Sequence, residues 1–417
     1  MIVGAMDDNI RFPGSMAFAL LWLLTLTIPI ESVLNIPGFG TVARAVGIIA
    51  FVSGVMAVLA RGQARSLRAI HLLMAGFALW VALSSIWSID VDVTYTRLFT
   101  TAQLLALAWL VCELADDLEK LGMLLQAYVL GSSLAAIGVI HSFLTGNPSM
   151  LHWSVERFGA FGMDLNDMAL TIALAIPMAA YLATEPLHLR YLSWTTRLSL
   201  SLPLLLLAIV LTGSRTGAIA GVVALISVPL FYVSIELRRQ VGLVVVILIS
   251  VYALATLTPL SLWNRFATIA SELSGGDIGN RRYLWTAGLR VFLERPFLGA
   301  GAGAHESAVA PYIGSRLANV AHNSFLSVLV EEGVVGFAFF TGIVFALLFR
   351  TRQLLSGDRR LAIAILATWT VGVQALTWEF DKSTWFLFAT LAAWPLAHLS
   401  ASRDRQVDSA VESTSVC

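Results

Sequence analysis

Long apolar runs follow one another along almost the whole chain, separated by short polar turns. A helix needs roughly 20 mostly apolar residues to cross a membrane. Twelve segments meet that need, near 15–34, 41–60, 69–87, 98–115, 121–144, 167–184, 195–212, 217–235, 241–260, 323–349, 361–378 and 383–400. The pattern predicts an all-α polytopic membrane protein. One long stretch breaks it. Ser261 to Ala321 is polar, carries Arg265, Arg281, Arg282, Arg290, Arg295 and Arg316, and leads into His322-Asn323 at the start of a new apolar run. The chain therefore divides into spans with short loops over 1–260, a large loop over 261–321, further spans over 322–400 and a tail over 401–417.

Within the large loop, Arg281 to Glu294 has partial helical periodicity, with Trp285, Leu289 and Phe292 on one side. This predicts an amphipathic helix lying along the membrane surface. Pro296 ends it, and Leu298-Gly-Ala-Gly-Ala-Gly-Ala304 reads as a flexible turn. Its Gly-x-Gly pattern follows a helix and not a strand, so it is no dinucleotide fingerprint.

Composition agrees with the pattern. Of 417 residues, 58% are hydrophobic and only 12% charged, against roughly 25% charged in soluble domains. The net charge of zero points to no partner. Every basic residue except Lys120 and Lys382 is arginine, the side chain suited to bidentate contacts with phosphate and carboxylate. Cys112 lies inside an apolar run and Cys417 is the last residue, which offers neither a sensible disulfide nor a metal-ligand spacing. There is no Ser-His-Asp order, zinc spacing, phosphate-binding loop or nucleic-acid signature. The first apolar run is long and lacks a small-residue cleavage site, so it reads as a retained span.

Basic residues of membrane proteins collect on the cytoplasmic side. With the N-terminus inside, the inner loops hold Arg61, Arg65, Arg68, Lys120, Arg190, Arg197, Arg238, Arg239, Arg350, Arg352, Arg359, Arg360, Arg403 and Arg405. The tail is then cytoplasmic too. The outer face receives short loops near Asn35, Ser88–Arg97, Gly213–Thr216 and Trp378–Lys382, a medium loop Thr145–Asn166, and the large loop. The arginines of the large loop run against the bias, so a demand other than orientation keeps them there. A phosphate-bearing substrate is the candidate.

Five constellations can carry chemistry. Arg157-Phe-Gly-Ala-Phe-Gly-Met-Asp164-Leu-Asn166 is a glycine-rich outer loop leading into a span. Asn166 can cap that helix, with Asp167 at its positive end. Gly213-Ser214-Arg215-Thr216-Gly217 is a tight turn at the outer boundary. Its backbone N–H groups can form an anion-binding nest beside the Arg215 guanidinium; the bland reading is a snorkelling arginine. In the large loop Arg265 follows Trp263 and Arg281 precedes Trp285, while Arg290, Arg295 and Arg316 read as surface residues. His322-Asn323 is followed by Glu331-Glu332-Gly333 and Gly336. On a continuous helix His322, Leu326, Leu329, Gly333 and Gly336 share a face, and histidine at the mouth of a span can act as a general base. Glu331 falls on the opposite face and reads as structural or orienting. Asp90-Val-Asp92 is a weak pattern for a divalent metal.

In this order, Arg157-Phe-Gly…Asn166, Thr212-Gly-Ser-Arg215-Thr-Gly, Arg281-Arg-Tyr-Leu-Trp285, Arg295-Pro-Phe-Leu-Gly-Ala-Gly301 and His322-Asn-Ser-Phe-Leu…Glu331-Glu-Gly333…Gly336 resemble the O-antigen ligase and polymerase family of bacterial membrane proteins. The first third and last fifth of the chain match only as hydrophobic spans. The resemblance implies a glycosyltransferase of the GT-C type, with about 12 transmembrane helices and one large periplasmic loop, in the inner membrane. It implies a glycan donor carried on undecaprenyl diphosphate, an active site at the periplasmic face, inversion, and neither cofactor nor metal. His322 would be the base. Arg215, Arg265 and Arg281, or its neighbour Arg282, would hold the diphosphate, with Arg157, Asn166 and Asn323 as further substrate contacts. The single late outer loop favours a ligase acting on lipid A-core. A polymerase or a protein-modifying O-oligosaccharyltransferase remains open within the family. Outside it, twelve spans also suit a transporter or flippase of lipid-linked glycans. That alternative calls for more mid-span ionisable groups than Glu331, Glu332, Glu31 and His141 provide, and no inverted repeat of broken spans is visible.

Overall fold

A computed structural model describes residues 2–33, 35–36, 40–152, 155–184, 194–232, 236–276 and 281–394. It is almost entirely helical. The long helices are α1 (Ile2–Thr27), α2 (Val42–Arg61), α3 (Ala69–Ser84), α4 (Val91–Leu114), α5 (Leu118–Leu144), α6 (Leu165–Thr184), α7 (Trp194–Leu211), α8 (Arg215–Tyr232) and α9 (Leu237–Leu257). The large loop folds into α10 (Leu260–Ala267), α11 (Ile269–Ser274), α12 (Arg281–Glu294) and α13 (His305–Ile313). Then come α14 (Ser324–Arg350), α15 (Ser356–Gly372) and α16, covering 382–394. Among the described residues there are also two short antiparallel strand pairs: β1 (Asn35–Ile36) with β2 (Gly40–Thr41), and β3 (Met150–His152) with β4 (Val155–Arg157).

Helix overlaps every predicted span, yet among the described residues eight helices are long and apolar enough to cross a membrane. The shortfall has local causes. The third apolar run turns after Ser84. α15 begins with Ser356-Gly-Asp-Arg-Arg360, which shortens its apolar part. The inner loop at Arg190, the end of the last predicted span and the 401–417 tail lie outside the described residues.

The bundle is organised around α6, which is buried on all sides and packs against α5, α7, α8 and α15. Its alanines let neighbours approach closely: a Cβ on Gly217 of α8 would stand 2.2 Å from the Cβ of Ala169. α9, by contrast, exposes most of its apolar surface, as a lipid-facing helix does. An aromatic cluster of Phe325, Phe340, Trp369 and Phe388 joins α14, α15 and α16.

The Gly-Ala stretch is not a flexible turn. α14 breaks at Gly333, whose φ of 64° lies in the left-handed region, and the break frees carbonyls from the helical ladder. Ala300 and Gly301 donate N–H groups to Val330 O and Glu331 O at 2.9 and 2.8 Å. Gly303 N–H donates to the Glu331 carboxylate at 2.6 Å. On its other side the stretch meets the region after α3, where Ile89 N–H reaches Ala300 O and Thr94 Oγ1 donates to Ala302 O. The two distant motifs are halves of one junction, and Glu331 is a structural part of it. The helix at Arg281–Glu294 is present, but its buried face is Leu284, Ala287, Gly288 and Val291, set against α13 and α14. Leu289, expected on the apolar face, is exposed.

Candidate active site

The start of α6, the 212–217 turn, α10, the start of α12 and the segment before α14 meet at one end of the bundle. They enclose a cavity of about 370 Å³ lined by Arg157, Asn166, Arg215, Arg265, Glu272, Arg281, Trp285 and His322, closed below by Val371, Gln374 and Ala375 of α15 and the turn after it. This lies within the range of small-ligand pockets.

The hairpin β3–β4 ends in Arg157, which is buried at 5% exposure. Its Nε donates to Thr212 O at 2.9 Å, and a terminal nitrogen donates to Asn166 Oδ1 at 3.2 Å. The same Asn166 oxygen accepts the Ser214 hydroxyl at 2.8 Å. Asn166 is therefore a joint between the first and second motifs, not the cap of α6. The cap is Asp164, whose Oδ1 accepts from Asn166 N–H and Asp167 N–H at 2.8 and 3.3 Å. Asp167 lies in the first turn of α6, as expected, and accepts the Trp378 indole N–H at 2.8 Å.

Part of the expected nest at the 212–217 turn is already engaged. The N–H groups of Gly213, Ser214 and Gly217 are taken by Val210 O, Thr212 Oγ1 and Ser214 Oγ. Gly213 adopts φ 61°, and a Cβ there would press to 3.0 Å on Leu262 and 3.1 Å on Arg157, so the turn needs glycine for conformation and for space. Its role is to set Arg215 at the start of α8. Gly213 O accepts Arg265 Nε at 2.8 Å, which ties α10 to the turn. Arg215 reaches the same segment with all three nitrogens: Nε to Arg265 O at 3.4 Å, one terminal nitrogen to Thr268 Oγ1 at 2.7 Å, the other to the Glu272 carboxylate at 3.1 Å.

The first turn of α12 separates its two arginines. Arg281 lines the cavity. Arg282 is exposed and faces another groove, with Gly275, Tyr283, Arg290 and Tyr312. Of the pair left open by the sequence, Arg281 is the one at the site. Arg290, Arg295 and Arg316 are exposed, as expected of surface residues. Trp285 Nε1 donates to Ala321 O at 2.9 Å, which locks α12 to the segment before His322.

His322 is not on the face of α14. It precedes the helix and has φ 48°, an uncommon conformation for a residue with a side chain. Its backbone N–H donates to Thr377 Oγ1 at 2.9 Å. Asn323 is the helix cap, accepting Leu326 N–H at 3.0 Å and donating to Gln374 O at 3.2 Å. It is a brace and does not line the cavity. Among the described residues, neither the His322 imidazole nor the Arg281 guanidinium has a protein hydrogen-bond partner.

Burial disfavours each charged form. It lowers the pKa of Arg157 to about 10, helped by nearby Arg265. Arg265 and Arg281 are lowered in the same way, by burial first and then by Arg215, while Glu272 opposes the shift at Arg265 and Asp164 that at Arg281. His322 is lowered by burial and then by Arg281, against the opposing pull of Asp164. The cavity thus holds an excess of positive charge with a neutral imidazole beside it.

Sequence reasoning passed over Glu272, Thr268, Thr377 and Gln374. Only Glu272 carried a signal, as an acid within an arginine-rich stretch. Asp90 caps α4 and accepts the Ser307 hydroxyl at 2.5 Å, away from the cavity. Buried His305 bridges to Asn319 O at 2.9 Å and braces α13.

Residues 200–341 match the family model described as O-antigen ligase. The match covers Arg215, Arg265, Arg281 and His322 and leaves Arg157 and Asn166 outside it. No curated protein matches the chain.

Proposed function

We propose that this chain, which belongs to the O-antigen ligase family through residues 200–341, transfers a glycan from undecaprenyl diphosphate to a sugar hydroxyl of lipid A-core at the periplasmic face. The observation that carries the reading is the convergence of Arg157, Arg215, Arg265 and Arg281 on one cavity beside His322, whose imidazole has no protein hydrogen-bond partner among the described residues. A lipid diphosphate is a leaving group whose negative charge grows as its bond to the sugar breaks. Fixed cations that meet that charge lower the barrier.

In this reading the acceptor hydroxyl oxygen attacks the anomeric carbon from the face opposite the diphosphate. Its proton passes to the neutral imidazole of His322. The bond from the anomeric carbon to the diphosphate oxygen breaks, and the electron pair leaves on that oxygen, held by Arg215, Arg265 and Arg281. One displacement inverts the anomeric centre. Arg157 and Asn166 tie the 212–217 turn to the start of α6 at the wall of the site, and Asn323 and Thr377 fix the backbone around His322. The architecture proposed is that of a GT-C glycosyltransferase with twelve spans, both termini in the cytoplasm and the α10–α13 segment in the periplasm. No metal or other cofactor takes part in the proposed step.

The test is a lipopolysaccharide gel from a ligase-null host whose core matches the natural acceptor. The wild-type chain should restore the ladder, and His322→Ala, present in the membrane at equal level, should not. A ladder from His322→Ala would remove the base assignment. No ladder from inserted wild type would turn the reading to a polymerase or a protein acceptor.

A further inference from the structure

We propose that Glu272 is a built-in competitor for the diphosphate, holding Arg215 when the cavity is empty and reclaiming it to drive the spent carrier out. The inference rests on the proposed donor site and adds to it a residue that governs release.

The cavity treats its arginines unequally. Arg281 has no protein partner among the described residues and is ready for an anion. Arg215 has every nitrogen engaged by α10 and α11. Two of those partners, Arg265 O and Thr268 Oγ1, are neutral and join Arg215 to the wall. The third, the Glu272 carboxylate at 3.1 Å, is an anion on the cavity lining. A carboxylate offers guanidinium the same kind of acceptor that a phosphate does. Glu272 therefore stands where one phosphoryl oxygen would stand.

The chain is shaped to keep the carboxylate there. Gly276 folds back over Glu272, and a Cβ on Gly276 would come within 2.6 Å of Glu272 Oε2 and 2.7 Å of its Cα. The Arg215 and Glu272 side chains remain 28% and 27% exposed. The pair is thus weak enough to exchange. An enzyme that grips a diphosphate with several arginines faces slow product release, since the charge that stabilises the transition state also holds the product. A tethered carboxylate offsets part of that grip.

The experiment uses the full chain in detergent, with inorganic diphosphate as the binding probe and steady-state transfer as the second readout. Glu272→Gln keeps size and hydrogen bonding and removes the charge. It should bind diphosphate about two- to fivefold more tightly, the range an exchanging, partly exposed ion pair supports. It should also lower the donor KM and lower kcat together, with stronger inhibition by diphosphate. Glu272→Asp, which restores the charge, should return both readouts toward wild type. A purely structural carboxylate would give Glu272→Gln unchanged or weaker diphosphate binding with an unchanged KM, and that result overturns the proposal. Arg215→Gln separates the two levels. If the wild type binds diphosphate and Arg215→Gln does not, the cavity reading stands whatever Glu272 does. If neither the wild type nor Glu272→Gln binds diphosphate, the cavity reading falls, and the release role with it.

Discussion

His322 meets the first requirement of a base at neutral pH, which is to be unprotonated. Burial and the neighbouring Arg281 both lower its pKa, and only Asp164 opposes them. Because the neutral form is the active one, the rate should rise with pH through a value below that of an ordinary histidine, then level off. Arg281→Ala removes one of the two lowering influences, so the acid limb should move upward toward the ordinary histidine value. The same variant should lose about 10²–10³ in kcat through the lost charge on the leaving group. A pH–rate profile of both proteins checks this. An acid limb that stays in place, or moves down, would detach His322 from the chemistry. At this scale much of the candidate cavity's lining was legible, because an arginine or histidine among apolar runs stands out and needs a reason. What could not be read was which of two adjacent arginines turns inward. That depends on how α12 is rotated, and the rotation is set by Leu284, Ala287, Gly288 and Val291 packing on α13 and α14.

Among the elements, the ones that departed from expectation are those where helical periodicity fails. A continuous helix from His322 through Gly336 was the natural reading of an apolar run. Instead Asn323 starts the helix and Gly333 breaks it, so His322 is aimed by a left-handed residue before the cap and not by a helix face. The Gly-Ala stretch looked mobile because glycine usually signals freedom. Here each glycine allows backbone to approach backbone or side chain: a Cβ on Gly299 would meet Glu331 O at 2.3 Å, and one on Gly333 would meet Phe297 O at 2.2 Å. Contacts between residues so far apart in the chain leave no local signature. Gly333→Ala combines a strained φ with that clash, and should destabilise the fold by at least about 1–3 kcal/mol. Thermal unfolding in detergent, followed by tryptophan fluorescence, reads the loss. Because the junction also fixes the direction of α14 below His322, transfer should fall with stability. Wild-type unfolding behaviour from Gly333→Ala would mean that the break in α14 is not required.

On the scale of the molecule, the two ends of the bundle are chemically different. One end gathers the candidate cavity and the α10–α13 segment. The other carries Arg61, Arg65, Arg68, Lys120, Arg350, Arg352 and Arg359, where α2, α4 and α14 finish and α3, α5 and α15 begin. Charge bias would place the second end in the cytoplasm, and the proposed donor, presented at the periplasmic face, would require the first end there. The two demands agree only if the six arginines of 261–321 are held against the bias by function, which is why the orientation is a direct test of the catalytic reading. In a background carrying Cys112→Ser and Cys417→Ser, a reporter at the exposed position Arg316→Cys should react with a membrane-impermeant maleimide in cells whose outer membrane has been permeabilised. A reporter at Arg352→Cys, exposed at the opposite end, should react only after the inner membrane is broken. The reverse labelling would place the arginine cavity in the cytoplasm, out of reach of a glycan already carried to the periplasmic face, and transfer to lipid A-core there would no longer be tenable.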